Sequence, residues 1–214
     1  MSSCSLFCCL PLHTKFKDKS KTELNKQHYL LEDESSNSRS PVRANYMILQ
    51  TATDSFLSAV SSALASRLNT FIEDNQILPY THQKQYIIPN FTGCILQFLQ
   101  MVHRVVELTT VEAAHIIHLI NVLVHQENPT PNTDAEHIIT AHNVGTVLLC
   151  ATIIVLKCDR DNQPKNGWWA RGLGMSHTLI NNSELLFLLH IRFTTILTPE
   201  AYMSIVDEML ERMC

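Results

Sequence analysis

Apolar residues recur at helical spacing along most of this chain, and polar stretches separate the repeats. Leu49, Ala52, Phe56, Leu57, Val60, Leu64, Leu68, Phe71 and Ile72 fall on one stripe at i, i+3, i+4 and i+7. That stripe predicts a helix over 47–74, ended by Asn75 and Pro79, with a loop over 76–91. Ile95, Leu96, Leu99, Val102 and Val106 predict a second helix over 93–106. Thr109-x-x-Glu112 is a capping box, in which each residue satisfies a free backbone N–H of the other. It opens a third helix to about His125. A loop with two prolines follows, then Thr133-x-x-Glu136, a second capping box, predicts a fourth helix from there to about Lys157. Asp159–Gly174 reads as a polar connection. Ser176 is an N-cap for a helix to about His190. Thr198-Pro199-Glu200 supplies a cap, a proline at the first helical position and an acid in the first turn. The last helix then carries Ile205, Val206, Met209, Leu210 and Met213. Only 191–196 alternates, and six residues make no sheet.

The pattern is therefore all-α: a leading helix and five more, packed as a bundle around a buried central helix. The central helix contains Val144–Leu156, 13 residues broken only by small or hydroxyl side chains. A membrane span needs about 20, so the expectation is a helix buried on every side.

Charge changes the picture at the front of the chain. Residues 1–46 hold seven Lys/Arg and five Asp/Glu; residues 47–214 hold nine and fifteen. The front lacks apolar periodicity and reads as a disordered tail, leaving 47–214 as the folded part. Hydrophobic residues make up 45% of the 214, enough for a real core. The net charge of −4 argues against nucleic acid as a partner, because phosphate contacts need a basic face. The start lacks the basic and long apolar regions of a secretory signal. The seven cysteines contain no CxxC. Reduced thiols and an intracellular place, cytoplasm or nucleus, are expected, with Cys94 and Cys150 as small core hydrophobes.

Candidate chemistry is thin. His115 and His118 share a helix face, but neither they nor His137 and His142 fit a metal-ligand spacing, so they read as surface or interface histidines, and no metal or cofactor is implied. No nucleotide-binding loop or nucleophile elbow is present. Asp159-Arg-Asp161-Asn162 opens like a calcium loop, but Pro164 stands where that loop needs glycine.

One constellation is more specific. Residues 154–193 read Ile154-Val-Leu-Lys157-Cys-Asp159-Arg-Asp161, then Asn166-Gly-Trp-Trp169-Ala170, with Gly174 and Ser176. They continue as Ile180-Asn181-Asn182-Ser183-Glu184-Leu-Leu-Phe187-Leu188 and end in Ile191-Arg-Phe193. This resembles the cyclin box, and most of all the single-box phosphate-signalling and U/P-type cyclins of fungi, plants and protozoa. Ser183 and Ile180 stand where that family carries leucines. His118-Leu119-Ile120-Asn121 stands where it often carries an aromatic-x-Asp-Arg.

The resemblance implies a cyclin-box bundle over about 91–213, preceded by the leading helix 47–74. It implies a subunit with no chemistry of its own that packs on the αC helix of a cyclin-dependent kinase and activates it. Lys157 and Glu184 would hydrogen-bond the kinase backbone near αC, and Ile154, Leu188 and Phe193 would supply apolar contacts. Trp169 matches the family's core tryptophan; Trp168 has no counterpart and is expected to be exposed. The departures keep open a second reading, a non-activating helical adaptor with a degenerate box.

The tail carries two further candidates. Cys4, Cys8 and Cys9 precede Lys15, Lys17, Lys19 and Lys21, a pattern suited to S-palmitoylation with electrostatic attachment, hence a peripheral membrane contact. An ordinary disordered tail is the alternative. Ser40-Pro41-Val42-Arg43 has the form favoured by proline-directed kinases, making Ser40 a candidate phosphosite.

Overall fold

A computed structural model describes residues 51–75, 91–127 and 139–214. Seven helices run through them: α1 (Asp54–Asn75), α2 (Phe91–Val106), α3 (Thr110–Glu127), α4 (Val144–Asp159), α5 (Asn166–Leu173), α6 (His177–His190) and α7 (Pro199–Met213). The fold is all-α. An isolated antiparallel bridge between Thr51 and Thr109 joins the approach to α1 with the approach to α3.

Helix ends follow local chemistry. α1 starts at Asp54 rather than at 47, because Thr53 Oγ1 accepts from the Phe56 N–H and so caps the helix there. The Thr109–Glu112 box forms as a reciprocal pair: Thr109 N donates to Glu112 Oε2 at 2.8 Å and Glu112 N to Thr109 Oγ1 at 3.2 Å. Ser176 and Thr198 accept from Leu179 N and Ala201 N, capping α6 and α7.

Three expectations fail. The fourth helix does not run from Thr133: residues 139–143 are irregular or turn, and Thr140 N donates to Asn143 Oδ1 at 2.9 Å, so α4 begins at Val144. The Thr133–Glu136 box itself lies outside the described residues. The supposed polar connection 159–174 contains a helix, α5. Its entry is Lys165 in extended backbone, and its exit is Gly174 at φ +64°, a left-handed conformation that glycine adopts without strain. Trp169 on α5 is fully buried and pulls that turn onto the core. Trp168 is half-buried, edge-on to Trp169 with centroids 4.9 Å apart, rather than exposed.

The core lies between α3 and α4. Every residue of α4 from Val147 to Leu156 is buried, as the unbroken apolar run requires. Thr152, the polar member, bonds back to the Leu148 carbonyl at 2.8 Å. The centre is shared, however, because α3 packs on α1, α4, α6 and α7. Cys150 is buried, and burial pushes its thiol up to about 12, with the Glu184 charge adding to the effect. Cys94 is only partly buried. Among the described residues, no helix is long and apolar enough to cross a membrane.

Arg67 ties the leading helix to the rest. It donates to Asn121 Oδ1 of α3 at 2.6 Å and forks onto both carboxylate oxygens of Glu208 on α7, at 3.1 and 2.6 Å. Burial pushes the Glu208 carboxyl up. The Arg67 and Arg212 hydrogen bonds and charges outweigh it and hold the group below its ordinary value.

Ile154 is buried inside α4. Ile154→Ala is expected to lower unfolding stability by about 2–5 kcal/mol, measured by urea titration, and to leave the surface unchanged.

Candidate protein-docking site

The site is assembled by the last turn of α4. Lys157, Asp159 and the C-cap Arg160 between them reach α6, α3 and the end of α2. Lys157 donates to Glu184 Oε1 of α6 at 2.5 Å. Asp159 Oδ2 lies 2.9 Å from His115 Nδ1 of α3. Arg160 forks onto Glu112 at the start of α3, with 2.7 Å to Oε2, and donates to the Val106 carbonyl at 2.7 Å. Asp159, two residues after Lys157, faces another side of the helix, and Arg160 diverges because it sits at the C-cap in extended backbone, φ −131° and ψ 137°.

Glu184 is only 8% exposed. Its carboxylate is doubly held, by Lys157 on one oxygen and by Asn166 Nδ2 at 2.5 Å on the other. Asn166, the first residue of α5, also donates to Asn181 Oδ1 at 2.8 Å. The structure therefore brings Lys157 and Glu184 together, with the lysine at the surface. An ammonium has three donors, and Glu184 takes one.

α6 supplies an apolar face beside this pair. Its inner stripe is Ile180, Glu184 and Phe187, continued by Ile191. Its outer side also carries leucines: Leu179, Leu185, Leu186 and Leu189 are 48–53% exposed, and Leu188 packs partly against the core. The first turns of α6 are polar outside, with His177, Thr178, Asn181 and Asn182 exposed; the leucines stand half in solvent among and after them.

The chain leaves α6 through a strained turn. Phe193 N donates to the Leu188 carbonyl at 2.8 Å, and Arg192 and Phe193 both have positive φ, 51° and 57°. Two successive left-handed residues, neither glycine, store strain. The turn throws Phe193 outward, 58% exposed, followed by Ile196 at 76%. Leu188, one turn after the buried Glu184, and the exposed Phe193 thus stand together at the C-terminal end of α6.

The sequence-derived residues fall into three groups. Lys157 and the buried Glu184 are bonded to each other, Leu188 lies one turn after Glu184, and Phe193 is joined to Leu188 by its backbone N–H with its side chain exposed. Ile154 does not join them: its side chain packs in the core and offers nothing to an incoming partner. Cys4, Cys8, Cys9 and Ser40 lie outside the described residues.

His115 corrects the reading of surface histidines, because it is buried and both ring nitrogens meet acceptors, Asp159 Oδ2 and the Thr195 carbonyl. Its signal in the sequence was position: it lies one turn after Glu112, itself buried. Among the described residues, no group of three His, Cys, Asp or Glu is placed to hold a metal ion.

No family model, curated protein or solved structure matches the chain. The functional reading therefore rests on the residues and their geometry.

Glu112 is almost fully buried, so its charge depends on Arg160. Arg160→Ala is expected to cost about 3 kcal/mol or more, because it strands a buried carboxylate. Arg160→Ala with Glu112→Gln should recover part of that loss, since glutamine still caps Thr109 without the charge. Thermal unfolding of the two variants side by side checks the order.

Proposed function

We propose that the chain is the regulatory subunit of a cyclin-dependent protein kinase, docking on the kinase through α6 and the turn after it. The observation that carries this reading is the Lys157–Glu184 pair, which anchors to α4 the same helix that leaves four leucines half-exposed. In this reading α2, α3, α4, α6 and α7 are the helices of a cyclin box, α1 is the leading helix, and Trp169 is the core tryptophan. The resemblance over 154–193 names the partner; the exposed face of α6 supports the contact independently of that name.

The mechanism is allosteric. The subunit binds the kinase conformation in which αC is rotated inward, and so shifts the equilibrium toward it. The rotation brings the αC glutamate onto the β3 lysine, a pair that phosphoryl transfer requires. Lys157 contributes register through a charge-assisted bond to the kinase backbone, while Leu188, Leu189 and Phe193 supply apolar area. The subunit itself catalyses nothing and needs no cofactor. Its Ser40-Pro41 site is a substrate for the kinase it holds, and palmitoylated Cys4, Cys8 and Cys9 would tether the pair to an intracellular membrane.

The test is co-precipitation from the native cell with kinase identification, using wild type, Lys157→Ala/Glu184→Ala and Leu189→Asp. Wild type is expected to capture a kinase and to raise its activity on a synthetic peptide of residues 36–47. Leu189 is exposed, so its replacement should leave the fold intact and reduce capture at least roughly tenfold, as loss of an interface anchor does. Capture of a kinase by all three chains alike would discard this interface. A folded protein that binds no kinase would discard the reading in favour of an adaptor.

A further inference from the structure

The strap 192–198 joins α6 to α7. Its residues 194–198 have no regular secondary structure, and Phe193, Thr194, Ile196 and Thr198 are exposed. Thr198 is followed by Pro199, the one Ser-Pro or Thr-Pro step among the described residues. It is also the N-cap of α7, in extended backbone at φ −76° and ψ 155°, and its Oγ1 accepts from Ala201 N at 3.3 Å. A hydroxyl has two lone pairs and a proton. The cap takes one lone pair and leaves the rest of the group to an exposed residue.

We propose that Thr198 is a phosphorylation site for a proline-directed protein kinase, and that its phosphate opposes docking at the turn after α6. The site stands on the strap alone. Its effect on docking rests on the docking reading of α6 and adds its regulation.

The backbone favours this hydroxyl. A kinase needs the attacking oxygen in line with the γ-phosphate, which a segment not yet committed to a helix can reach. The strap supplies such a segment before Thr198, and Pro199 supplies the residue that a proline-directed kinase reads after it. Pro199 has no N–H to lose when it enters a cleft. What must open is the pair of bonds that Ala201 N and Tyr202 N make to Thr198, at the frayable start of α7. The residue three after Thr198 is Ala201, whereas Ser40-Pro41-Val42-Arg43 has a basic residue in that place. Thr198 therefore suits a proline-directed kinase that does not need that basic residue, acting on the free chain while Phe193 and Ile196 are uncovered.

The step is ordinary phosphoryl transfer. Thr198 Oγ attacks the γ-phosphorus of ATP, and the bond from that phosphorus to the β,γ-bridging oxygen breaks. ADP leaves with the electron pair, and the hydroxyl proton passes to the kinase's catalytic aspartate. The phosphate brings about −1.5 to −2 charge at pH 7. At the N-cap it meets the Glu200 and Ala201 N–H groups and the positive end of the helix, which holds the first turn of α7 more firmly. Ile196 lies two residues before it and the acidic Glu200 two after. A partner that covers the strap must then desolvate a phosphate, so docking weakens.

The test treats the full chain with magnesium, ATP and a purified mitogen-activated protein kinase, verified as active on a standard peptide, and maps phosphate by mass spectrometry. Thr198 is expected to be labelled in wild type, to stay labelled as Thr198→Ser, and to lose the label in Pro199→Ala, which keeps both hydroxyl and cap. An unlabelled Thr198 in wild type, or equal labelling in Pro199→Ala, overturns the site. Amide hydrogen exchange at Glu200 and Ala201 should slow roughly two- to fivefold on phosphorylation, as a negative charge at a helix N-terminus does; faster exchange there overturns the hold on α7. Capture of the cyclin-dependent kinase by the phosphorylated chain should fall roughly tenfold, the effect of burying an unpaired polar group. Equal capture by both forms overturns the block on docking. No capture by either form overturns the docking reading, and the mapping alone then decides the site.

Discussion

The buried carboxylate of Glu112 sets the terms for this structure. A charge removed from water must be paired and hydrogen-bonded, and Glu112 caps α3 from inside the bundle. Arg160 answers it, and doing so fixes where α4 ends against where α3 begins. The two neighbouring charges on that last turn then have defined directions. Asp159 is carried to His115, and Lys157 to Glu184. The Lys157–Glu184 pair is thus positioned by how two core helices are clamped end to start.

That clamp explains why so few polar residues suffice. α4 is otherwise an apolar helix, and apolar contact by itself is not directional. Ion pairs that leave α4 toward α3 and α6 select one register. Whether such buried pairs add net stability is a separate matter; here their geometric effect is what positions Leu188, Phe193 and the Lys157 head.

Much of the fold was legible. Wherever a cap coincided with a stripe, as at Thr109–Glu112, Ser176 and Thr198, the helix start stands where the local pattern puts it, because the cap satisfies backbone groups that nothing else reaches. Legibility failed in two places. A local Thr140–Asn143 hydrogen bond turns the chain just before α4, which begins at Val144. The segment 159–174 looks too polar and glycine-rich for a helix, yet burial of Trp169 and the left-handed Gly174 close one. At the site, the pairing of Lys157 with Glu184 followed from a motif. The burial of Ile154 did not, because one apolar residue on an all-apolar helix carries no mark of which side it faces. His115 was missed for a related reason: a histidine one turn from another suggests a surface pair, and only the strap returning from α6 shows what the inner one holds.

The order of the hydrogen bonds around Glu184 bears on how an interface here would work. Asn166 holds one carboxylate oxygen and Lys157 the other, so neither side chain must be ordered when a partner arrives. A lysine free in solvent loses rotamer freedom on docking, which opposes association. Lys157 has already lost it in the isolated chain, through a bond that leaves donors available. The leucines of α6 contribute in the complementary way: they lie on a helix locked from inside by Phe187 and Ile180, so their side chains are presented without backbone adjustment. Phe193 is the exception, carried on strained backbone outside the helix.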